Sequence, residues 1–489
     1  MQINPHILML GNTNKFNSIC PKAPFVVMAK NGDGNLHIAM LPWLAFGHII
    51  PFLELAKLMA IKGHKISFLS TPRNIDRIPQ IPKTLTSSIK FVKVDLPKVE
   101  NLPENAESTK DLPLNKVKYL KIACDGFQES VTDFLKTSSP DWIIYDFVTY
   151  WLGPLAAEHG VRTAFFSVFP AVFLGHTGSP EALMHADATL EDLTKKRSWV
   201  TFETDVRASL FQLTNYLSSD DGNIVKVTDS YRLGATIHGC DAVFVRTSLD
   251  FEPEWLNLLD QLYKKPVIPT GLLPATTAAA ENETSWQLTK EWLDKHEKGS
   301  VVYIAFGTET KPNQYELTQL ALGLELCGLP FYWVLIDQRG SSDNEVIELP
   351  NGFEERTRGR GVVCRTWAPQ FKILNHDSVG GLLIHSGMSS VVEGFQLGKP
   401  LVLLPFMMDQ GTIATYLVEK KMAYMVHRDE MDGSFEPESV ADSLTLVMVK
   451  EEGKVYREKA KEMMALFGDR DVQDKCVDDL LHFLQNFSK

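Results

Sequence analysis

The chain has 489 residues, 44% of them hydrophobic and 22% charged, with a formal net charge of −12. That length exceeds one ordinary core and sets an expectation of two domains of roughly 200 residues each, and the composition is that of a globular chain rather than a disordered one. An acidic balance without clustered Lys and Arg excludes a broad nucleic-acid surface and points to a small-molecule partner.

At the start, "MQINPHILMLGNTNKF" lacks the basic leader and sustained apolar centre of a secretory signal. "MAKNGDGNLHIAM" from Met28 reads as a polar lead into a first strand, so residues 1–35 are expected to form a poorly ordered extension, with 1–27 dispensable. Cys20, Cys124, Cys240, Cys327, Cys364 and Cys476 stand singly, without CxxC or zinc spacing, as reduced thiols of a cytoplasmic protein would. No run approaches the ~20 apolar residues of a spanning helix, so membrane insertion is not expected.

From Leu36 the chain alternates. "LHIAMLPW" is a nearly continuous apolar strand, as expected where both sheet faces are covered. "IPFLELAKLMAIKG" follows with Phe52, Leu55, Ala56 and Met59 at helical spacing, Pro51 near the helix start and Gly63 at its end. "HKISFLST" and "IKFVKVDL" are the next strands, then a helical region from Lys116 to Leu135, the strand "DWIIYD", the helix "YWLGPLAAEHG" and the strand "VRTAFFSV". Strand, helix, strand implies right-handed parallel crossovers.

The stretch from Val168 to Arg232 is irregular and rich in apolar and aromatic residues, among them Phe169, Phe173, Trp199, Phe202, Phe211 and Tyr216. It fits either a hydrophobic acceptor pocket or plain core packing. "GLLPATTAAAENETSW", residues 271–286, is small, polar and unpatterned and reads as a linker after a first domain at 36–270. The second half restarts with "SVVYIAFGT", a helix over Gln314 to Cys327, "PFYWVLI", "GVVCRTW", "VGGLLIHSG", a helix from about Met388, and "PLVLLP". The expected fold is α/β: two Rossmann-like, doubly wound domains facing a cleft, the second at 287–470, with a terminal helix at 471–489 packing back.

Ligands in open parallel sheets gather beyond the carboxyl ends of the strands, where His48 and Asp146 follow the first strand and "DWIIY". A His held by a carboxylate can act as a general base toward a hydroxyl. Position alone, however, favours both residues as simple helix caps. No G-x-S-x-G elbow supports a serine hydrolase, and no G-x-G-x-x-G follows the first strand as a nicotinamide enzyme requires. The acidic pair Asp469 and Asp471 reads as solvated helix surface rather than a metal site.

The specific signal is "WAPQFKILNHDSVGGLLIHSGMSSVVEGFQLGKPLVLLPFMMDQ", from Trp367 to Gln410. A strand ends in a small-residue turn, and a helix begins near Ser389. Free N–H groups at such a helix start suit a diphosphate, with His385 beside them as a further donor. Glu393 can accept from ribose hydroxyls, Trp367 offers a face for a base, and Asp409 with Gln410 can hold sugar hydroxyls. These parts describe a nucleotide-sugar site.

The stretch resembles the signature box of the plant UDP-dependent glycosyltransferases of family 1. Trp367, Pro369, Gln370, Leu374, His376, Gly380, Gly381, His385, Gly387, Ser390, Glu393, Gly398, Pro400, Pro405, Asp409 and Gln410 carry the match, and "PWLAFGH", "KGHKISFLST", "PDWIIYD" and "KGSVVYIAFGT" extend it. Within the family the chain looks most like the branch with enzymes that extend sugar chains on terpenoid glycosides. The resemblance implies a GT-B fold, with His48 as base and Asp146 as its partner. It implies a donor site of Thr308, Trp367, Ala368, Gln370, His385, Gly387, Ser389, Ser390, Glu393, Asp409 and Gln410. It also implies a UDP-sugar co-substrate, a small hydrophobic acceptor, no metal and no permanently bound cofactor, in a monomer. After "HSG" the chain has Met388, Ser389 and Ser390 where the family usually has Trp-Asn-Ser. UDP-glucose is the expected donor and UDP-rhamnose its rival.

Overall fold

The computed structural model describes residues 34–185, 190–219, 227–274, 283–336, 347–366 and 368–487. Among the described residues thirteen strands form two wholly parallel sheets. The first holds β1 (His37–Leu41), β2 (Lys65–Ser70), β3 (Ile89–Lys93), β4 (Trp142–Tyr145), β5 (Arg162–Ser167), β6 (Ala242–Val245) and β7 (Val267–Pro269), ordered β3-β2-β1-β4-β5-β6-β7. The second holds β8 (Val301–Ala305), β9 (Phe331–Val334), β10 (Gly361–Cys364), β11 (Val379–Ile384), β12 (Leu401–Leu403) and β13 (Ala423–Met425), ordered β10-β9-β8-β11-β12-β13. In each sheet the winding reverses beside its first strand, at β1/β4 and at β8/β11. Such switch points leave a crevice beyond the strand ends.

Sheet burial explains the apolar runs. Ile38, Ala39, Met40 and Leu41 of β1 are all buried, alternate residues facing two different core clusters. One cluster spans both lobes, from Leu41 and Ile143 to Ile384 and Phe467, so a single apolar body underlies the cleft.

Two expectations need correction. The first helix spans Phe46–Ile61, so Pro51 lies inside it and His48 in its first turn. Burial of Ile49, Phe52 and Leu53 extends the helix N-terminally past the proline and outweighs the lost backbone bond. The tract expected as linker to residue 286 ends earlier, in a helix at Glu283–Leu293 whose Leu293 is fully buried; residues 275–282 lie outside the described residues. The Pro-rich approach to it contains β7, an edge strand where proline is tolerated.

The helix Arg470–Asn486 crosses back to the first sheet. Val477, Leu480, Leu481 and Leu484 are buried against it, and the Leu484 carbonyl accepts from the Trp142 indole at 3.1 Å. At about 2 kcal/mol for each buried aliphatic side chain, the four contribute roughly 8 kcal/mol before entropy is counted. Asp469 caps this helix by accepting from the Asp471 N–H at 2.8 Å, which gives the acidic pair its structural role. Of the expected extension only residues 34 and 35 are among the described residues. Among the described residues no helix is long and apolar enough to cross a membrane.

Candidate active site

Both switch points open on one seam, and the polar residues of the site stand there. Asp146 follows β4 and is 1% exposed. Its Oδ2 accepts from the His48 Nδ1 at 2.8 Å and from the Trp43 N–H at 3.1 Å, while Oδ1 accepts from the Phe147 N–H at 2.8 Å. Asp146 therefore caps the short Phe147–Thr149 turn and also holds the imidazole. His48 does not cap its helix, whose N-cap is Ala45 without a side-chain bond. With Nδ1–H committed to the carboxylate, Nε2 is left as the acceptor of that ring.

Aromatic rings surround this pair. Phe169 lies edge-on to His48 at 5.3 Å, Phe147 is 6.0 Å away, and Phe173 packs tilted against Phe169 at 4.8 Å. Phe147 escaped the sequence reading because it sits in a turn, outside the irregular stretch. The other aromatics of that stretch have different places: Trp199 donates its indole N–H to the Gly175 carbonyl, Phe202 packs on Trp255, and Phe211 stacks on Arg428 of the second lobe. The side chain of Tyr216 and the whole of Trp367 lie outside the described residues.

On the second lobe, His385 follows β11 and its ring lies between two glycines. A Cβ on Gly307 would meet it at 2.9 Å and one on Gly387 at 2.3 Å, so neither position has room for a side chain. Burial pushes the imidazole down to about 4, leaving it neutral, and among the described residues its Nδ1 has no hydrogen-bond partner. Ser386, a non-glycine residue at φ 63°, makes the turn, and its hydroxyl donates to the Gln410 carbonyl at 2.9 Å. The helix Met388–Gln396 then starts at Gly387, with Met388 and Ser390 buried and Ser389 half-buried at its first turn.

Glu393, one turn on, is oriented from the side. Tyr303 donates its hydroxyl to the Gln370 side-chain Oε1 at 3.0 Å, and the Gln370 side-chain Nε2 donates to Glu393. Burial raises the Glu393 carboxyl, partly offset by Gln370 and by Arg246. Gln370 thus reaches the site through Glu393, and Ala368 is buried in the turn before it, its carbonyl accepting from the Gln370 N–H.

Asp409 begins the helix Met408–Glu419. Burial raises its carboxyl to about 6, while backbone N–H groups and the charge of His48 act the other way. Gln410 is turned inward: its side-chain Oε1 accepts from the Phe406 and Met407 N–H groups at 3.0 and 3.1 Å, and its Nε2 donates to the Thr310 hydroxyl. Thr308 is exposed and donates to Glu309, whose carboxylate also accepts from Thr109 of the first lobe at 2.7 Å. Arg246, which follows β6, bonds Ser389 across the seam. Neither it nor Ser386 was singled out from sequence, since a lone Arg after a strand and a Ser between two motif residues carry no spacing signal.

Two doubly wound lobes with facing switch points define the GT-B class of transferase. The family description "UDP-glucoronosyl and UDP-glucosyl transferase" matches residues 237–479. UDP-glycosyltransferase 91A1 of Arabidopsis thaliana is 49% identical over 463 residues, covering 93% of this chain and 98% of that one. Soyasaponin III rhamnosyltransferase of Glycine max is 42% identical over 463 residues, covering 94% and 97%. The crystal structure of Glycyrrhiza uralensis UGT73P12 complexed with glycyrrhetinic acid 3-O-monoglucuronide superimposes with a TM-score of 0.75 at 20% identity, over 92% and 96% of the two chains. The chain belongs to the plant UDP-dependent glycosyltransferases of family 1, with a UDP-sugar as co-substrate.

Proposed function

We propose that the enzyme moves a hexosyl group, with inversion, from UDP-glucose onto a hydroxyl of a small hydrophobic plant metabolite or its glycoside. The observation that carries this reading is the His48–Asp146 pair at 2.8 Å, at the switch point of the first sheet. His48 Nε2 takes the acceptor proton as the oxygen attacks the anomeric carbon. Asp146 stabilises the imidazolium that forms, and UDP leaves from the opposite face.

The departing diphosphate meets the free N–H groups of the Met388 helix and the hydroxyls of Ser389 and Ser390, with His385 as a neutral donor. Glu393 holds the ribose and Asp409 the transferred sugar. Gln410 supports the sugar site from behind, by fixing the turn that carries Asp409. The rings of Phe147, Phe169 and Phe173 form an apolar wall that aims an acceptor hydroxyl at His48.

Rhamnosyl transfer is the second reading, favoured by the 42% identical relative named as a rhamnosyltransferase. Turnover of a panel of terpenoid and phenolic aglycones and their glucosides, with UDP-glucose and UDP-rhamnose in competition, tests both. Preferential rhamnose transfer replaces the first reading with the second. Absence of transfer and of UDP-sugar hydrolysis with either donor refutes both and leaves a UDP-sugar-binding protein.

A further inference from the structure

Arg246 is 4% exposed and sits on the acceptor lobe directly after β6. Its Nε donates to the Leu272 carbonyl at 2.9 Å, its Nη2 to the Leu273 carbonyl at 3.3 Å, and its Nη1 to the Ser389 hydroxyl oxygen at 2.9 Å. Among the described residues no ion pair compensates it at contact distance; Glu54 and Glu393 act on it only through space. A buried guanidinium without a paired carboxylate is costly. This one also stands at the N-terminal end of the Met388 helix, the positive end of its dipole, where a cation is disfavoured. Both placements are relieved by an anion.

The hydrogen-bond chemistry gives the direction. Guanidinium can only donate, so Ser389 accepts from Arg246 and its own O–H is left to donate elsewhere. A hydroxyl oxygen that accepts from a cation becomes a stronger donor through its own proton. With His385 neutral, the full positive charge in hydrogen-bond reach of that turn is the guanidinium. Ser389 and Glu393 are four residues apart and share one helix face, so the same charge also favours ionised Glu393.

We propose that Arg246 is the positioning residue for the donor's diphosphate, holding Ser389 with its hydroxyl proton free for the anion and so coupling nucleoside-diphosphate binding to closure of the seam between the lobes. This rests on the placement of the diphosphate at the Met388 helix given above. The charge acts from the lobe that carries the base, so the two halves of the reaction are set by one contact.

The test separates the diphosphate from the rest of the nucleotide. The full chain and its Arg246→Gln, Ser389→Ala and double variants are titrated with UDP by calorimetry and with uridine by ligand-observed NMR. Losing a charge-assisted bond weakens UDP by roughly 10- to 100-fold while uridine changes little. The UDP-to-uridine affinity ratio therefore falls in each single variant, and the double variant falls hardly further. Arg246→Lys keeps the charge without the planar fork and recovers part of the ratio; with Ser389→Ala it decides the matter if Arg246→Gln does not fold. A ratio within twofold of wild type in these variants, or strictly additive losses, overturns the proposal alone. Wild-type protein that binds no UDP overturns the diphosphate site and this proposal together.

Discussion

Asp146→Asn separates the two jobs of that carboxylate. Asp146 accepts from three N–H groups, two of them at Oδ2. An asparagine has one oxygen and one amide nitrogen, and the arrangement that loses least keeps the oxygen toward Trp43 and His48. The Phe147 N–H then faces an N–H, a mismatch that costs about 1–3 kcal/mol of stability. The imidazole keeps its orientation but loses the charge beside it. Two unit charges ~4 Å apart at an effective dielectric of ~20 attract by about 4 kcal/mol, a stabilisation felt only once the ring is protonated in the transition state. At 1.36 kcal/mol per decade this corresponds to as much as ~10³ in kcat. Initial rates of UDP release should fall by roughly 10²- to 10³-fold with the donor KM unchanged, alongside a modest drop in Tm. A rate within threefold of wild type, with the drop in Tm present, would show that the carboxylate serves the fold alone.

His48→Ala should lower turnover by ~10²- to 10⁴-fold while UDP binding by calorimetry stays near wild type; equal loss of both would mark a binding residue. Gln370→Ala frees Glu393 from its amide partner and should raise the donor KM by about tenfold or more with little change in kcat, measured with saturating acceptor. Gly387→Ala places a Cβ 2.3 Å from the His385 ring, and a donor affinity unchanged from wild type would contradict the tight packing of that turn. Asp409 offers a pH test. A carboxyl raised to about 6 by burial favours the fold below about pH 4, and that contribution is lost as pH rises through about 6. Asp409→Asn removes the charge, so its Tm relative to wild type should climb between about pH 4 and 6 and level off above, while sugar transfer falls. A difference in Tm that is flat across that range would refute the assignment.

The alternation of apolar runs with amphipathic stretches made most strands and the doubly wound class readable, because buried parallel strands leave long apolar words in the sequence. β7 was hidden by its prolines, which an edge strand tolerates, and the start of the first helix by Pro51, where tertiary burial outweighs local preference. His48 illustrates the limit of position as a signal. A residue before a helix looks like a cap, and only the 2.8 Å bond to a residue 98 positions away distinguishes it. Gln410 carries a motif signal, but its bonds to two backbone N–H groups and Thr310 come from how the turn before its helix folds. Arg246 depends wholly on how β6 and the Met388 helix meet, which no local pattern encodes.

The return of the last helix to the first sheet bears on how the chain is made. During synthesis the first lobe leaves the ribosome long before Val477, Leu480, Leu481 and Leu484 exist, so one apolar flank of its sheet stays uncovered until that helix has been made. Clipping the final turns should accordingly harm the half of the molecule made first, and expressing that half alone should yield a sticky, incomplete product.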